Sequence, residues 1–250
     1  MLFRSKSIEK RMADGGPHAN GEEQEILAQY SGWGGLSDAF EPNKDSWHSE
    51  YTELKSLLTE EEYAAARSST LTAFYTPPEV IDAMYTALRK MGVGAGTILE
   101  PSMGVGAFFG QSHSYLYEPT TRLFGVELDS LTGRIARQLY QKANIQITGF
   151  EKADLPDSFF DVVIGNVPFG DYSVVDPQYN RLHFKIHDYF FAKSIDKLRT
   201  GGIIAFITTS GTLDKKSEEV RRYINARCDF IGAVRLPDST FKSAGTKAMA

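Results

Sequence analysis

The residue types best suited to chemistry in this chain stand together in Phe160-Asp161-Val162-Val163-Ile164-Gly165-Asn166-Val167-Pro168-Phe169-Gly170. A β-branched apolar run reads as a strand buried on both faces, and it stops at Gly165-Asn166. Pro168 fixes its own φ and holds Val167 extended, so an amide, a carbonyl and an aromatic ring are presented just past the strand's carboxyl end. In open α/β sheets ligands sit there. Such a turn suits an amine whose lone pair is delocalised into a ring. The Asn166 side-chain oxygen and the Val167 carbonyl could accept its two N–H bonds and draw the nitrogen toward a tetrahedral shape. An amide oxygen holds no proton near neutral pH, so the role of Asn166 is positioning and electrostatic stabilisation, not general base. Phe169 offers a face on which a base could stack.

A second group precedes this turn. Glu100-Pro101-Ser102-Met103-Gly104-Val105-Gly106 follows a short strand, and its glycines allow a tight turn and close approach to a ligand. It is neither the Gly-x-Gly-x-x-Gly fingerprint nor a Walker loop, which disfavours a diphosphate ligand. Glu127 lies 27 residues after Glu100, at the tip of the next strand, where an acidic side chain commonly accepts ribose hydroxyls. Other candidates are weaker. His183 and His187 stand four apart, but Phe184 replaces the Glu of a zinc motif and no further ligand set completes a shell, so no metal is expected. Lys215, Lys216, Arg221 and Arg222 read as a solvated helix face, and Ser210 has no triad partner motif.

The elements that must position these residues alternate. Strands are expected at 97–99, 123–128, 145–150, 160–164, 202–208 and 230–236, with helices over 79–91, 187–198 and 218–227. That order implies right-handed crossovers and a mostly parallel α/β sheet. Ahead of it, residues 1–21 read as a disordered leader and 22–70 as a helical segment. This segment holds a helix over 22–30, a Gly32-Trp33-Gly34-Gly35 turn whose tryptophan anchors it, and a Thr59-Glu60-Glu61-Glu62 capping box opening a helix through Ser69. Residues 71–250 form the main domain.

At 250 residues, 42% hydrophobic and 24% charged, the composition is that of a globular chain. No run of about 18 apolar residues supports a membrane span. Cys228 is the one cysteine, which excludes an internal disulfide and fits a cytoplasmic setting. The net charge of −5 argues against a generic nucleic-acid coat, yet residues 151–250 carry 14 Lys/Arg against 13 Asp/Glu while the first 150 carry 13 against 19. Any phosphate-facing surface should lie toward the C-terminal side.

Asn166-Val167-Pro168-Phe169 resembles the Asn-Pro-Pro-Phe/Tyr motif of amino-methyltransferases that methylate N6 of adenine in DNA, with Val167 where proline is usual. The ordered set of motifs over about residues 70–245 is similar to the gamma arrangement of that family. The resemblance implies a Rossmann-like fold and S-adenosylmethionine as cofactor. It implies that Tyr75 and Thr76 close over the methionine end, that Glu100, Gly104 and Gly106 hold it, and that Glu127, with Leu128 beside it, takes the ribose. Phe150 and Glu151 stand at the adenine-binding position in reversed order, so which of them serves is open. The catalytic turn is Asn166, Val167, Pro168 and Phe169, and Phe241 matches an aromatic that packs on a flipped-out base. The substrate implied is double-stranded DNA, as in restriction-modification.

Three phrases narrow the resemblance further, to the methylase module of large phage and conjugative-element proteins that carry an SNF2-like helicase downstream. They are Tyr30-Ser31-Gly32-Trp33-Gly34-Gly35-Leu36, Ile164 through Gly170, and His187-Asp188-Tyr189-Phe190-Phe191-Ala192-Lys193. Partners implied are a helicase or target-recognition domain, with a final antiparallel strand beyond residue 250. Two other readings stay open on sequence: a glutamine N5-methyltransferase, which has a similar turn, and a noncatalytic DNA-binding or scaffold module.

Overall fold

A computed structural model describes residues 8, 17–30, 32–34, 36–70, 76–116, 119–237 and 239–241. Five strands, β1 (Thr97–Glu100), β2 (Arg122–Glu127), β3 (Asn144–Ile147), β4 (Phe160–Asn166) and β5 (Leu198–Ile207), form one sheet in the order β3-β2-β1-β4-β5. Every pairing is parallel, as the alternation of strands and helices predicts. Chain direction across the sheet reverses between β1 and β4, so the loops after these two strands open side by side.

The central strands are covered on both faces. Ile98 of β1 with Val162 and Ile164 of β4 point into one cluster with Ile81, Tyr85 and Leu88, while Leu99 and Val163 point into the opposite one with Tyr189, Phe190 and Ala192. The period of two explains why β4 reads as an unbroken apolar run. Val162, Val163 and Ile164 are at most 1% exposed, and burying each fully contributes roughly 1.5–3 kcal/mol. At the opposite end from the site, Asp161 accepts from the Thr97 amide (2.6 Å) and from Arg199 Nε (2.5 Å), tying β1, β4 and β5 together.

One helical layer comprises α1 (Gly21–Ala28), α2 (His48–Leu57) and α3 (Glu60–Ser69). Its helices start where the sequence supplies caps. Asn20 with Glu23, and Thr59 with Glu62, form reciprocal capping boxes. The sheet is flanked by α4 (Pro78–Lys90), α5 (Ala107–Tyr115), α6 (Ser130–Leu139) and α7 (Ile186–Lys197), followed by the short α8 (Gly211–Asp214) and α9 (Glu219–Asn225). Pro77 and Pro78 open α4 at positions where the missing N–H is no loss. Among the described residues no helix is long and apolar enough to cross a membrane.

Two expectations change. Residues 17–20, within the expected leader, are described: Ala19 is buried and its amide bonds Gln138 Oε1, while Asn20 caps α1. Residues 230–236 join no ladder among the described residues, and Phe230, Ile231 and Val234 are 65%, 68% and 85% exposed. A β-branched apolar run becomes a strand only beside a hydrogen-bonding neighbour, and here β5 is the edge among the described residues.

The N-terminal layer has no separate core. Leu27, Tyr30, Trp33, Phe40 and Tyr63 bury against Leu131 and Ile135 of α6, and Arg134 Nη2 reaches Glu62 Oε1 at 2.7 Å. Ile135 is fully buried at this seam. Ile135→Ala is expected to cost about 2–4 kcal/mol from lost transfer energy and the residual cavity. Chemical denaturation checks this, and the loss should come with earlier proteolysis of the helical layer.

Candidate active site

The loop after β1 is shaped by two left-handed glycines, Gly104 (φ 55°) and Gly106 (φ 84°). Gly106 is required from behind: a Cβ there would lie 2.4 Å from the Tyr140 ring, whose hydroxyl donates to the Gly106 carbonyl (2.7 Å). Gly104 is open in front, since a Cβ would meet nothing within 4 Å. The loop is pinned by the Met103 amide on the Val126 carbonyl (3.0 Å) and by the Gly104 amide on Glu127 Oε2 (2.8 Å).

Two carboxyls underlie this loop. Glu100 is 2% exposed, and its Oε2 has no hydrogen-bond partner among the described residues. Burial, with the Glu127 charge nearby, holds its carboxyl well above the usual range. Glu127 takes the Asp129 amide on Oε1 (2.7 Å) and the Gly104 amide on Oε2 (2.8 Å). Burial pushes it up to about 7 although those amides favour the ion. Each of its oxygens keeps a lone pair for a hydroxyl. The next residue, Leu128, is 75% exposed.

The turn after β4 stands alongside. Asn166 is the last residue of β4 and partly buried, with Oδ1 shielded from solvent. Val167 is 1% exposed with its side chain in the core, which leaves its role at this position to the backbone. Pro168 is partly exposed, and Phe169 packs against the clusters on both sides of β4. Phe241 belongs to one of those clusters, with Ile164 and Ile207.

Ser102 Oγ donates to the Asn166 main-chain carbonyl at 2.8 Å, joining the glycine loop to the turn. Sequence reasoning passed over Ser102 because serine is ordinary in a turn; only its placement between a glycine loop and a strand end could have flagged it. Thr76 is buried ahead of α4, and Tyr75 lies outside the described residues. Phe150 is committed to the core, 3% exposed with its ring 4.9 Å from Phe190. Glu151 is partly buried, and its carboxylate occupies the space a Cβ on Gly149 would need.

The segment after the turn is held by buried polar pairs that sequence spacing did not reveal. Asp176 Oδ2 accepts from Tyr189 (2.7 Å) and Lys193 (3.0 Å), and burial together with the Asp176 contact raises the Tyr189 hydroxyl far above its usual range. Lys215, read as part of a solvated face, instead pairs with the fully buried Asp188. His183 sits on a turn with left-handed backbone (φ 50°) and His187 inside α7, so the two do not share a helical face. Among the described residues no group of three or more His, Cys, Asp or Glu could hold a metal.

A parallel β3-β2-β1-β4-β5 sheet, a glycine loop over a strand-end acid and an Asn-x-Pro-Phe turn at the reversal point define a Rossmann-like S-adenosylmethionine-dependent methyltransferase. The family model for N-6 DNA methylase matches residues 57–250, and the chain belongs to that family. It is 26% identical over 234 residues to the Defense against restriction protein B of Escherichia phage P1, covering 91% of this chain and 9% of that protein. It is also 25% identical over 156 residues to the uncharacterized protein YtxK of Bacillus subtilis, covering 57% of this chain and 46% of that one. The chain thus spans less than half the length of either relative. Among solved structures, the methyltransferase subunit of a type I restriction-modification system from Streptococcus thermophilus superposes with TM-score 0.53 at 18% identity, covering 88% of this chain and 58% of that one. A modification subunit of a putative type I restriction enzyme from Vibrio vulnificus superposes with TM-score 0.50 at 19% identity, covering 71% and 43%. Both are likenesses of fold.

The family's cofactor is S-adenosylmethionine, and the residues present fit it: an unpartnered buried carboxyl at Glu100, open space over Gly104, and an acid with spare lone pairs at Glu127. The pH dependence has a defined sign. The folded state keeps on Glu127 a proton that the unfolded chain, at the ordinary value of 4.5, releases. This group's contribution to the stability of the ligand-free protein is therefore full below pH 4.5 and is lost as pH rises through 7. Thermal melts from pH 4.5 to 8 should show that decline in the wild type and a flatter profile in Glu127→Gln.

Proposed function

We propose that this chain transfers the methyl group of S-adenosylmethionine to N6 of an adenine flipped out of double-stranded DNA. The observation that carries the reading is the Asn166–Phe169 turn seated one hydrogen bond, Ser102 to Asn166 at 2.8 Å, from the glycine loop that fits the cofactor. When bound, S-adenosylmethionine supplies an electrophilic methyl on a sulfonium. Glu127 would hold the ribose through its hydroxyls, Glu100 would hold the ammonium of the methionine end, and Thr76 with Tyr75 would cover that end. Of the pair after β3, Glu151 is assigned the cofactor adenine, because Phe150 is taken up by the core.

The target base is extruded at a cost of a few kcal/mol and stacks on Phe169, with Phe241 behind it. Asn166 Oδ1 and the Val167 carbonyl accept its two N–H bonds, which concentrates the lone pair on nitrogen. The amine lone pair would form the N–C bond to the methyl that the cofactor would supply, with sulfur keeping the electron pair of the bond given up. The extra proton leaves nitrogen for solvent, because an amide cannot hold it. In the full-length protein the module works with a helicase or target-recognition domain, a reading supported by the small share of the phage P1 relative that it spans, and it works in the cytoplasm.

Transfer of tritiated methyl from S-adenosylmethionine to duplex DNA, followed by nucleoside analysis, tests this. The wild type should yield N6-methyladenine, and Asn166→Ala should lower the rate by about 100- to 1,000-fold, the scale for loss of one preorganised polar group. Transfer that survives the substitution, label on a protein glutamine, or no label at all would reject the assignment.

A further inference from the structure

The peptide unit joining Asn166 to Val167 is held at both of its polar ends. Its carbonyl accepts from Ser102 Oγ (2.8 Å), and its N–H donates to the Ile207 carbonyl (3.2 Å). The first bond comes from the loop after β1, the second from the end of β5. Because a peptide is planar, fixing both ends fixes the rotation of the whole unit, and with it ψ of Asn166 and φ of Val167. The Val167 side chain, 1% exposed, is a third anchor, and Pro168 keeps Val167 extended. The two acceptors assigned to the amine flank this unit, one on each side.

From this geometry we infer that Ser102 is a positioning residue for catalysis: it fixes the catalytic turn against the cofactor loop by clamping the Asn166–Val167 peptide. The inference rests on the methyl-transfer reading above. The loop does not need the hydroxyl for its own shape. Pro101 and Met103 on either side are buried, the Met103 amide is bound to Val126, and the Gly104 amide is bound to Glu127. Among the described residues Ser102 Oγ bridges the loop to the turn, and each of the two has further anchors of its own. Removal weakens the hold on the peptide unit, so the plane swings, the Val167 N–H bond to Ile207 opens more often, and the directions of Asn166 Oδ1 and the Val167 carbonyl spread. Misplacement of a reacting group by about 1 Å costs on the order of 100-fold.

The test compares wild type, Ser102→Ala and Ser102→Thr in single-turnover transfer to duplex DNA, in calorimetric binding of S-adenosylmethionine, and in amide hydrogen exchange at Val167. Ser102→Ala should lower kcat by about 10- to 100-fold at saturating cofactor while Kd for S-adenosylmethionine stays within about twofold. Ser102→Thr, which keeps the hydroxyl, should recover to within about threefold of wild type. In Ser102→Ala the Val167 amide should exchange about tenfold faster while Val162, Val163 and Ile164 keep their protection, which separates a loosened turn from a loosened sheet. Unchanged Val167 exchange overturns the clamp whatever the transfer assay gives. A cofactor Kd raised tenfold or more, with kcat recovered at saturation, also overturns it by making Ser102 a cofactor contact. Faster Val167 exchange in a protein whose wild type transfers no methyl would leave the clamp standing and remove the methyl-transfer reading instead.

Discussion

The pairing of β1 with β4 is the constraint on which the rest depends. These two parallel strands are neighbours in space but far apart in sequence, and Ile98 and Leu99 stand opposite Val162 and Val163. Because the strands run the same way, the loops that follow them leave the sheet at the same edge. One loop can be spent on a cofactor and the other on a reacting amine, with no further device needed to bring them together. The ladder that fixes this register is buried on both faces, so sliding it by one residue would exchange the side chains that β4 packs into the two clusters.

Around that pair, the site is polar in a place where polarity is expensive. Glu100 and Glu127 lie under the glycine loop with carboxyls raised by burial, Glu127 to about 7. Glu127 holds two backbone amides, and Glu100 Oε2 has no hydrogen-bond partner among the described residues. A cationic, hydroxyl-bearing ligand relieves both conditions at once, which is the physical sense in which the residues fit S-adenosylmethionine. The same principle applies beyond β4, where Asp176 and Asp188 are buried with lysine partners on or against α7. Asp176 paired with Lys193 holds the segment after β4 against α7, and Asp188 paired with Lys215 holds the chain after α8 against the same helix.

The helical layer at the N-terminus contributes through α6. That helix starts at Asp129, two residues past Glu127, and its Leu131 and Ile135 share a cluster with Trp33, Phe40 and Tyr63. The helical layer thus packs against the helix that begins just after the turn carrying Glu127. Val105, at the tip of the glycine loop, packs against the same cluster.

What the residues alone determined was the local chemistry. Period-two burial made β4 readable as a strand, capping boxes and prolines marked where helices begin, and glycines with an acid at a strand tip marked the cofactor loop. The family membership followed from the order of those motifs. Sequence could not decide anything that depends on a neighbour. Among the described residues, 230–236 have a strand's composition without a strand's partner, and Phe150, an aromatic read from sequence as a ligand contact, is buried in the core. Ser102 is an ordinary turn serine until β1 and β4 are set side by side. Each of these is a competition among contacts made at long separation along the chain, and only the folded arrangement states which contact wins.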